Sequence, residues 1–339
     1  MNGTELRNDN PNSSNEIELF STASPDVVSD LTRLWLLQAQ QKSALHPLYQ
    51  LGSIDLESTH CSYLKKYQHA QNFIVLMNRA PDGSIIGYME IWILGYSPIS
   101  AIDQLAHIHS YYFPNARIRD QNLSYMMEIL RSRVKFVFLR LDITQTHDLQ
   151  IFQQKGFVCV QERLLQTNTH TNQSTLPSSI VIHEAEDDDF PQIIPLWKEQ
   201  WEFHKRSRSQ FQEIYALNKN AEQIWLENVQ KDQKTYPYKI FVAKKKEDII
   251  GYAEAYIYPY SSRFIYQNYG VFDNIHVLPT YRRQGVGQSL VKAIQEEFLG
   301  PSFSDPVMVT VDTQNIIAQN FWRELGFKQR QKHLYFRLS

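Results

Sequence analysis

The chain has 339 residues, 42% of them hydrophobic, enough for about two domains of ~150 residues each with substantial cores. Lys and Arg number 34 against 36 Asp and Glu, a net charge of −2, so nothing global points to nucleic acid or an anionic membrane as partner. Two cysteines, Cys61 and Cys159, make neither a disulfide framework nor a metal site. There is no apolar signal core and no run of ~20 apolar residues, so the expectation is a cytoplasmic protein with reduced thiols and no metal.

In chain order, residues 1–14 are rich in Asn, Ser, Asp and Pro and read as a disordered tail. Structure begins at Ile17 with a short strand, IELF. Ser24-Pro25-Asp26 is a cap and first-turn pattern for a helix over 27–40, with Val27, Leu31, Leu34 and Trp35 at helical spacing. His46-Pro47 breaks it. Strands are predicted at 73–77 and 85–94, joined by the turn Pro81-Asp82-Gly83, and around 105–109. A helix over 123–130, a strand over 134–141, a short helix over 148–155 and a strand opened by Gly156-Phe157 complete this half.

The order then repeats. Ile85-Ile86-Gly87-Tyr88 recurs as Ile249-Ile250-Gly251-Tyr252, an offset of 164 residues. Leu34-Trp35 recurs as Leu196-Trp197 at offset 162, and Ile108-His109 as Ile275-His276 at 167. Asp142 recurs as Asp312, and Gly156-Phe157 as Gly326-Phe327, both at 170. Five matches in one order, drifting slowly as small loop insertions would make them, imply two copies of one ancestral unit. The boundaries are a domain over 15–165, a polar linker over 166–179 and a domain over 180–339.

Residues 273–298 carry the strongest signal. Val271, Phe272, Ile275 and Val277 suit a buried strand, which Pro279 ends. Arg282-Arg283-Gln284-Gly285-Val286-Gly287 follows, and then Val286, Leu290, Val291, Ile294 and Phe298 form one apolar helical face. A helix start offers unpaired N–H groups and the positive end of the helix dipole. Glycines let an anion approach the backbone, and two arginines add fixed charge, so the loop points to phosphate. Taken alone, an ordinary tight turn fits as well.

Arg-Arg-x-Gly-x-Gly between a strand and an amphipathic helix closely resembles the acyl-CoA pyrophosphate motif of the GNAT superfamily of N-acetyltransferases. Phe241-Val242-Ala243 and residues 249–254 resemble its two central hairpin strands, and residues 307–311 its fifth strand. Asn315, Ala318, Phe321, Gly326 and Phe327 match its N-x-x-A-x-x-F-[YW]-x-x-x-G-F helix and turn. The resemblance implies an α+β (mixed α/β) chain of two tandem GNAT folds, each a central mixed, mostly antiparallel sheet flanked by helices. The first copy is degenerate: at offset 167, Arg282, Arg283, Gly285 and Gly287 map to Asn115, Ala116, Ile118 and Asp120. An aspartate there would repel a pyrophosphate, although Arg117 and Arg119 could reach an anion in another register. The first domain is therefore expected to be a scaffold, a lid or part of the acceptor pocket rather than a CoA site.

The resemblance also implies roles in the second copy. Acetyl-CoA is the expected cosubstrate. It would be held by the fourth strand (Ile275, His276, Val277), by Arg282, Arg283, Gln284, Gly285, Val286, Gly287 and Gln288, and by Asn315 and Trp322. An acceptor amine must lose a proton before attack. Asp273 and Glu254 are the catalytic candidates, each with a solvated or structurally paired acid as the alternative. His276 could also act as base, but its counterpart His109 survives where the phosphate loop does not, which favours a structural role. The tyrosine that protonates the departing thiolate in many family members is Trp322 here, and an indole N–H is not a usable acid. Another tyrosine or water would have to substitute. Asn315 could equally be a helix cap, and Trp322 could equally be packing.

On the acceptor side stand Trp197, Trp201 and His204 on one helix, followed by Lys205, Arg206 and Arg208. Tyr256, Tyr258, Tyr260, Tyr266 and Tyr269 could form an aromatic wall. The expected activity is transfer of an acetyl group to a primary amine of a small molecule, antibiotic- or polyamine-like, by direct attack. Two readings stay open beside it: a CoA-binding sensor or interaction module without turnover, and a protein or peptide amine acetyltransferase. No nucleic acid or membrane partner is expected, and the chain is either a monomer with pseudo-dimeric tandem domains or a homodimer.

Overall fold

A computed structural model describes residues 17–20, 25–45, 55–95, 99–167, 176–208, 210–259, 268–300 and 302–338. The expected tail over 1–14, most of the linker over 166–179, and Tyr260 and Tyr266 lie outside them. The chain divides into two compact units: one from residues 1–94, 106–137 and 338–339, the other from residues 95–105 and 138–337. These units cut the chain differently from the sequence repeat, because residues 138–167 belong to the second.

The first unit contains β1 (Ile17–Leu19), α1 (Pro25–Leu45), α2 (Leu56–Tyr67), β2 (Phe73–Arg79), β3 (Ile85–Gly95), β4 (Gln104–Tyr112) and α3 (Ala116–Leu130). Its strands run in the order β1-β2-β3-β4, with β1 and β3 antiparallel to β2. Val28, Leu31 and Trp35 recur on one face of α1 and pack with Leu64, Phe73, Val75 and Met77. The periodicity of 27–40 thus identifies a real helix, but α2 carries no comparable apolar stripe and was not anticipated. Asp55 starts it by accepting a hydrogen bond from the Ser58 N–H at 3.0 Å.

Two features close this unit where a site would be. The Asn115 side chain caps α3 by accepting from the Ile118 N–H at 3.0 Å, and Ile118 is wholly buried. Glu90, the counterpart of Glu254 at offset 164, is buried 3.4 Å from the Nε2 of His60, a residue of α2. The His60 ring is itself stacked on Trp35.

The second unit contains β5 (Phe136–Asp142), α4 (Thr146–Gln154), β6 (Val158–Gln166), β7 (Ile180–Glu184), α5 (Phe190–Ser207), α6 (Ala221–Thr235), β8 (Tyr238–Lys245), β9 (Asp248–Pro259), β10 (Asn268–Val277), α7 (Val286–Ala293), β11 (Val307–Asp312), α8 (Ile316–Glu324) and β12 (Lys328–Arg337). Strand order is β5-β12-β6-β11-β10-β9-β8-β7. β6 lies between β11 and β12, antiparallel to both: Leu164 faces Val309 on one side and Gln329 on the other. The last strands of the two sequence halves are thus exchanged, β6 onto β11 and β12 beside β5.

The two faces of this sheet follow strand alternation. Along β9, Ala253 and Ala255 join a core with Leu290, Ile294, Trp322 and Phe327 of the α7 and α8 side. Tyr252 and Tyr256 join the opposite core, with Leu196 and Trp197 of α5 and Trp225 of α6. Trp197, a sequence candidate for the acceptor pocket, is stacked on Trp225 in that core. Among the described residues no helix is long and apolar enough to cross a membrane, and Cys61 and Cys159 are free thiols.

Candidate active site

A cleft of about 510 Å³ opens where β10 and β11 part. These strands pair in parallel at Gly270–Val307, Val271–Met308 and Phe272–Val309, and the ladder stops there. At that point β10 is bulged against β9: Phe272 faces Ala255, Asn274 faces Glu254, and Asp273 is the extra residue. Residues 273–277 and 309–312 then form the two walls.

The basic loop closes one end. The Arg282 Nε donates to the Val277 carbonyl at 2.8 Å, fixing its guanidinium at the strand end. Gly285, at φ +81, starts α7, and no side chain caps the first N–H groups. An L-residue at that φ would cost about 1–2 kcal/mol. Arg283 holds a positive φ of 64, a strained backbone at the cleft wall. A Cβ on Gly287 would sit 3.3 Å from the Phe321 ring, so α7 and α8 approach closely only because this residue is bare. Free helix-end donors, two arginines and room for close backbone approach suit a pyrophosphate; α3 has Arg117 and Arg119 in its first turn, but Asn115 caps its end and Ile118 and Asp120 stand where the glycines would be.

Arg282, Arg283, Gly285, Val286, Gly287 and Gln288 line the cleft, as do Ile275, His276 and Val277. Gln284 is outside the lining; its Nε2 donates to the Thr280 carbonyl at 2.9 Å. Asn315 borders the cleft and caps α8, accepting from the Ala318 N–H at 3.0 Å. Trp322 also borders it, but is only 1% exposed and packs between Phe272 and Phe327, ring centroids 5.1 and 4.9 Å away.

The two candidate carboxylates differ. Asp273 lines the cleft; Glu254 does not, lying fully buried behind Asn274. One amide joins them: the Asn274 Nδ2 donates to Glu254 Oε2 at 3.0 Å and to Asp273 Oδ2 at 3.3 Å. The Tyr238 hydroxyl donates to the same Glu254 oxygen at 2.9 Å, and the Gln200 Nε2 on α5 donates to Asn274 Oδ1 at 3.0 Å. Burial first, then the charge of Asp273, push Glu254 up to about 8. Burial deep among protein atoms, then the charge of Asp232, raises Asp273 to about 6. The Asp273 side chain itself is open to cleft water, which moderates that shift. Near neutral pH the pair therefore carries one negative charge, placed on the residue that faces the cleft.

A stability effect follows from this. The native chain holds the Glu254 proton between the unfolded carboxyl pKa of about 4.3 and about 8, a range in which the unfolded chain has lost it. This contribution is present at low pH and disappears as pH rises through that window. Glu254→Gln is expected to flatten the decline of the denaturation midpoint over the same window, measured by urea titration at several pH values.

His276 faces Glu199 at 3.5 Å, and burial lowers its pKa, with Glu199 opposing. His204 also lines the cleft, its Nδ1 2.5 Å from Oδ2 of Asp312, a buried residue at the end of β11. Of the expected tyrosine wall, the three described members lie outside the cleft lining: Tyr256 and Tyr258 are in β9 and Tyr269 is in β10, and no tyrosine lines the cleft among the described residues. Sequence reasoning missed Asn274, Gln200 and Asp312 as site residues. The repeat of Asp142 as Asp312 was the one available signal.

A family model of the acetyltransferase (GNAT) family matches residues 191–327, which include both walls of the cleft and the basic loop. This stretch is a GNAT acetyltransferase domain. Among solved structures, a GCN5-related N-acetyltransferase from Sphaerobacter thermophilus matches 95% of this chain and 96% of its own, with a TM-score of 0.59 and 15% identity. A tandem GNAT protein from the clavulanic acid biosynthesis pathway matches 96% and 99%, with a TM-score of 0.51 and 10% identity. At these identities the likeness is one of fold, and it extends the GNAT domain to a mixed α/β chain of tandem GNAT folds. A comparison with the curated proteins gave no match.

Proposed function

We propose that the chain is an acetyl-CoA-dependent N-acetyltransferase whose active site is the cleft of the GNAT domain. The tandem halves 15–165 and 180–339 would then have exchanged their last strands and kept one working site. The observation that carries this reading is the meeting of three features in one cleft: parted parallel strands, a bulge that presents Asp273, and an uncapped helix end flanked by Arg282 and Arg283.

The basic loop and α7 would hold the pyrophosphate of acetyl-CoA, which supplies the acetyl thioester, and strand β10 beyond the bulge would line the pantetheine arm. A backbone N–H there would steady the carbonyl oxygen as charge develops. Asp273 accepts the proton that an ammonium substrate must lose, and Asn274 and Glu254 hold its carboxylate in place. The acceptor is a cationic primary amine of a small molecule, antibiotic- or polyamine-like, drawn to Asp273, Glu199 and Glu324 around the cleft. The free thiols Cys61 and Cys159 fit a cytoplasmic setting.

Thiol release from acetyl-CoA with a panel of small amines and lysine peptides tests this. Turnover with small amines supports the reading, and turnover confined to peptides moves the acceptor to protein. The packing of Trp322 in the core favours one further reading, a module that binds CoA without turnover. Tight acetyl-CoA binding with no thiol release from any amine would establish it.

A further inference from the structure

Residues Gln200 and His204 are one turn apart on α5 and point to opposite walls of the cleft. Gln200 reaches Asn274 on β10, and His204 reaches Asp312 on β11. On the β11 side the carboxylate of Asp312 is buried and accepts from the His204 ring and, at 3.4 Å, from the Ser207 hydroxyl. Arg208, 2% exposed, pairs with its other oxygen and lies 3.9 Å from the centre of the Tyr215 ring. The counterpart Asp142 in the first half does different work: it accepts from the Thr144 N–H and hydroxyl and closes its own turn. The second half has turned the same aspartate inward onto a histidine.

A carboxylate accepts from N–H, so Nδ1 carries a proton and the second ring nitrogen, Nε2, is the one left for the cleft. Nε2 has no hydrogen-bond partner among the described residues, and the side chain is 23% exposed. This is a histidine fixed by a buried acid with its free nitrogen at the reaction cleft, the arrangement in which a positioned imidazole moves protons. Among the described residues lining the cleft, no other group is as well suited to protonate a leaving group. Trp322 offers no usable acid, no tyrosine is in the lining, and burial lowers the pKa of His276, against the pull of Glu199, which favours its neutral form.

We propose that His204, positioned by Asp312, is the proton donor to the thiolate that departs when the acetyl group is transferred. This rests on the acetyl-transfer reading. The bond from the amine nitrogen to the acetyl carbon forms and the carbon–sulfur bond breaks, its electron pair passing to sulfur. Sulfur takes the Nε2 proton of the imidazolium. The ammonium substrate gives up two protons, the first to Asp273 and the second to water after attack. One of these restores His204 through solvent, so each turnover releases one proton net.

Two measurements on the full chain decide it. The first is the acidity of the thiol of bound CoA, followed by the ultraviolet absorbance of the thiolate during a pH titration. In His204→Gln the bound thiol is expected to ionise about 1 unit or more higher than in the wild type, because the imidazole that takes its proton and pairs with the thiolate is gone. Circular dichroism and CoA affinity at low pH should be unchanged. The second is nitrogen NMR of labelled histidine in the ligand-free protein, where the neutral ring of His204 should carry its proton on Nδ1 and should lose that preference in Asp312→Asn. Equal thiol acidity in wild type and His204→Gln, both binding CoA, would overturn the proposal, as would an Nε2–H tautomer in the wild type. Neither readout needs an acceptor, so a chain that releases no thiol with any amine would sink the acetyl-transfer reading while the role of His204 is judged separately. With an active acceptor, His204→Gln should lower kcat about 100-fold with KM for acetyl-CoA unchanged.

Discussion

Asp273→Asn is expected to lower kcat/KM for acetyl transfer by about 10²- to 10⁴-fold while leaving acetyl-CoA affinity unchanged, the range of a lost general base. The substitution keeps shape and removes only the charge and the basic oxygen. Its specificity comes from the bulge, which puts Asp273 at the cleft while Glu254 stays behind the sheet surface. In the wild type, kcat/KM should rise with pH through about 6, because the base works only when ionised and its surroundings raise it there. The two carboxyls share one bridging amide, so the pH profile belongs to the pair, and Glu254→Gln should shift the limb rather than abolish it. A flat profile between pH 5 and 8, or an Asp273→Asn enzyme within about threefold of wild type, would remove Asp273 from the mechanism.

Trp322→Ala is expected to cost about 3–5 kcal/mol of stability in the ligand-free protein, as deletion of a large buried aromatic does. The ring is almost wholly buried among Phe272, Phe321 and Phe327, so most of its contacts are lost without any ligand present. Urea denaturation without CoA measures this. A side chain that served only to pack on the cofactor arm would leave the midpoint unmoved and weaken acetyl-CoA binding instead. The sequence position of Trp322 suggested a cofactor contact; its surroundings make the core the larger part of its work.

The parts of the fold that were legible in the sequence are local. A strand ending at Pro279, glycines at 285 and 287 and an apolar helical face are neighbours in the chain, and the cleft loop follows from them. The repeat was legible for the same reason, since short identical blocks recur in order. The exchange of β6 was not. Its sequence, VCVQERLLQ, has a polar middle between two apolar stretches, and nothing in it specifies whether it pairs with β5 or with β11 and β12. That choice is made by contacts over a hundred residues away.

The site was legible to the same depth. Asp273 and Glu254 stood out as acids on adjacent strands, but a one-residue bulge decides which faces the cleft, and no local residue pattern announced it. Gln200 gave no signal, and His204 stood out only as an acceptor-side neighbour of Trp197 and Trp201. Their partners, Asn274 and Asp312, lie 74 and 108 residues further on. The tyrosines that promised an acceptor wall are instead strand residues in β9 and β10 where they are described, Tyr256 stacking on Tyr238 at 6.3 Å.

The most direct test of the account is calorimetric titration of acetyl-CoA into the wild-type chain and into Gly287→Asp, which carries the residue found at the matching position of the first half, Asp120. Circular dichroism should be run alongside, because the new Cβ meets Phe321. The account predicts one site per chain in the wild type and none in the folded variant. Two sites in the wild type, or one that survives the substitution, would mean that the loop at Arg282–Gly287 is not where the cofactor binds and that the division of labour between the two halves is wrong.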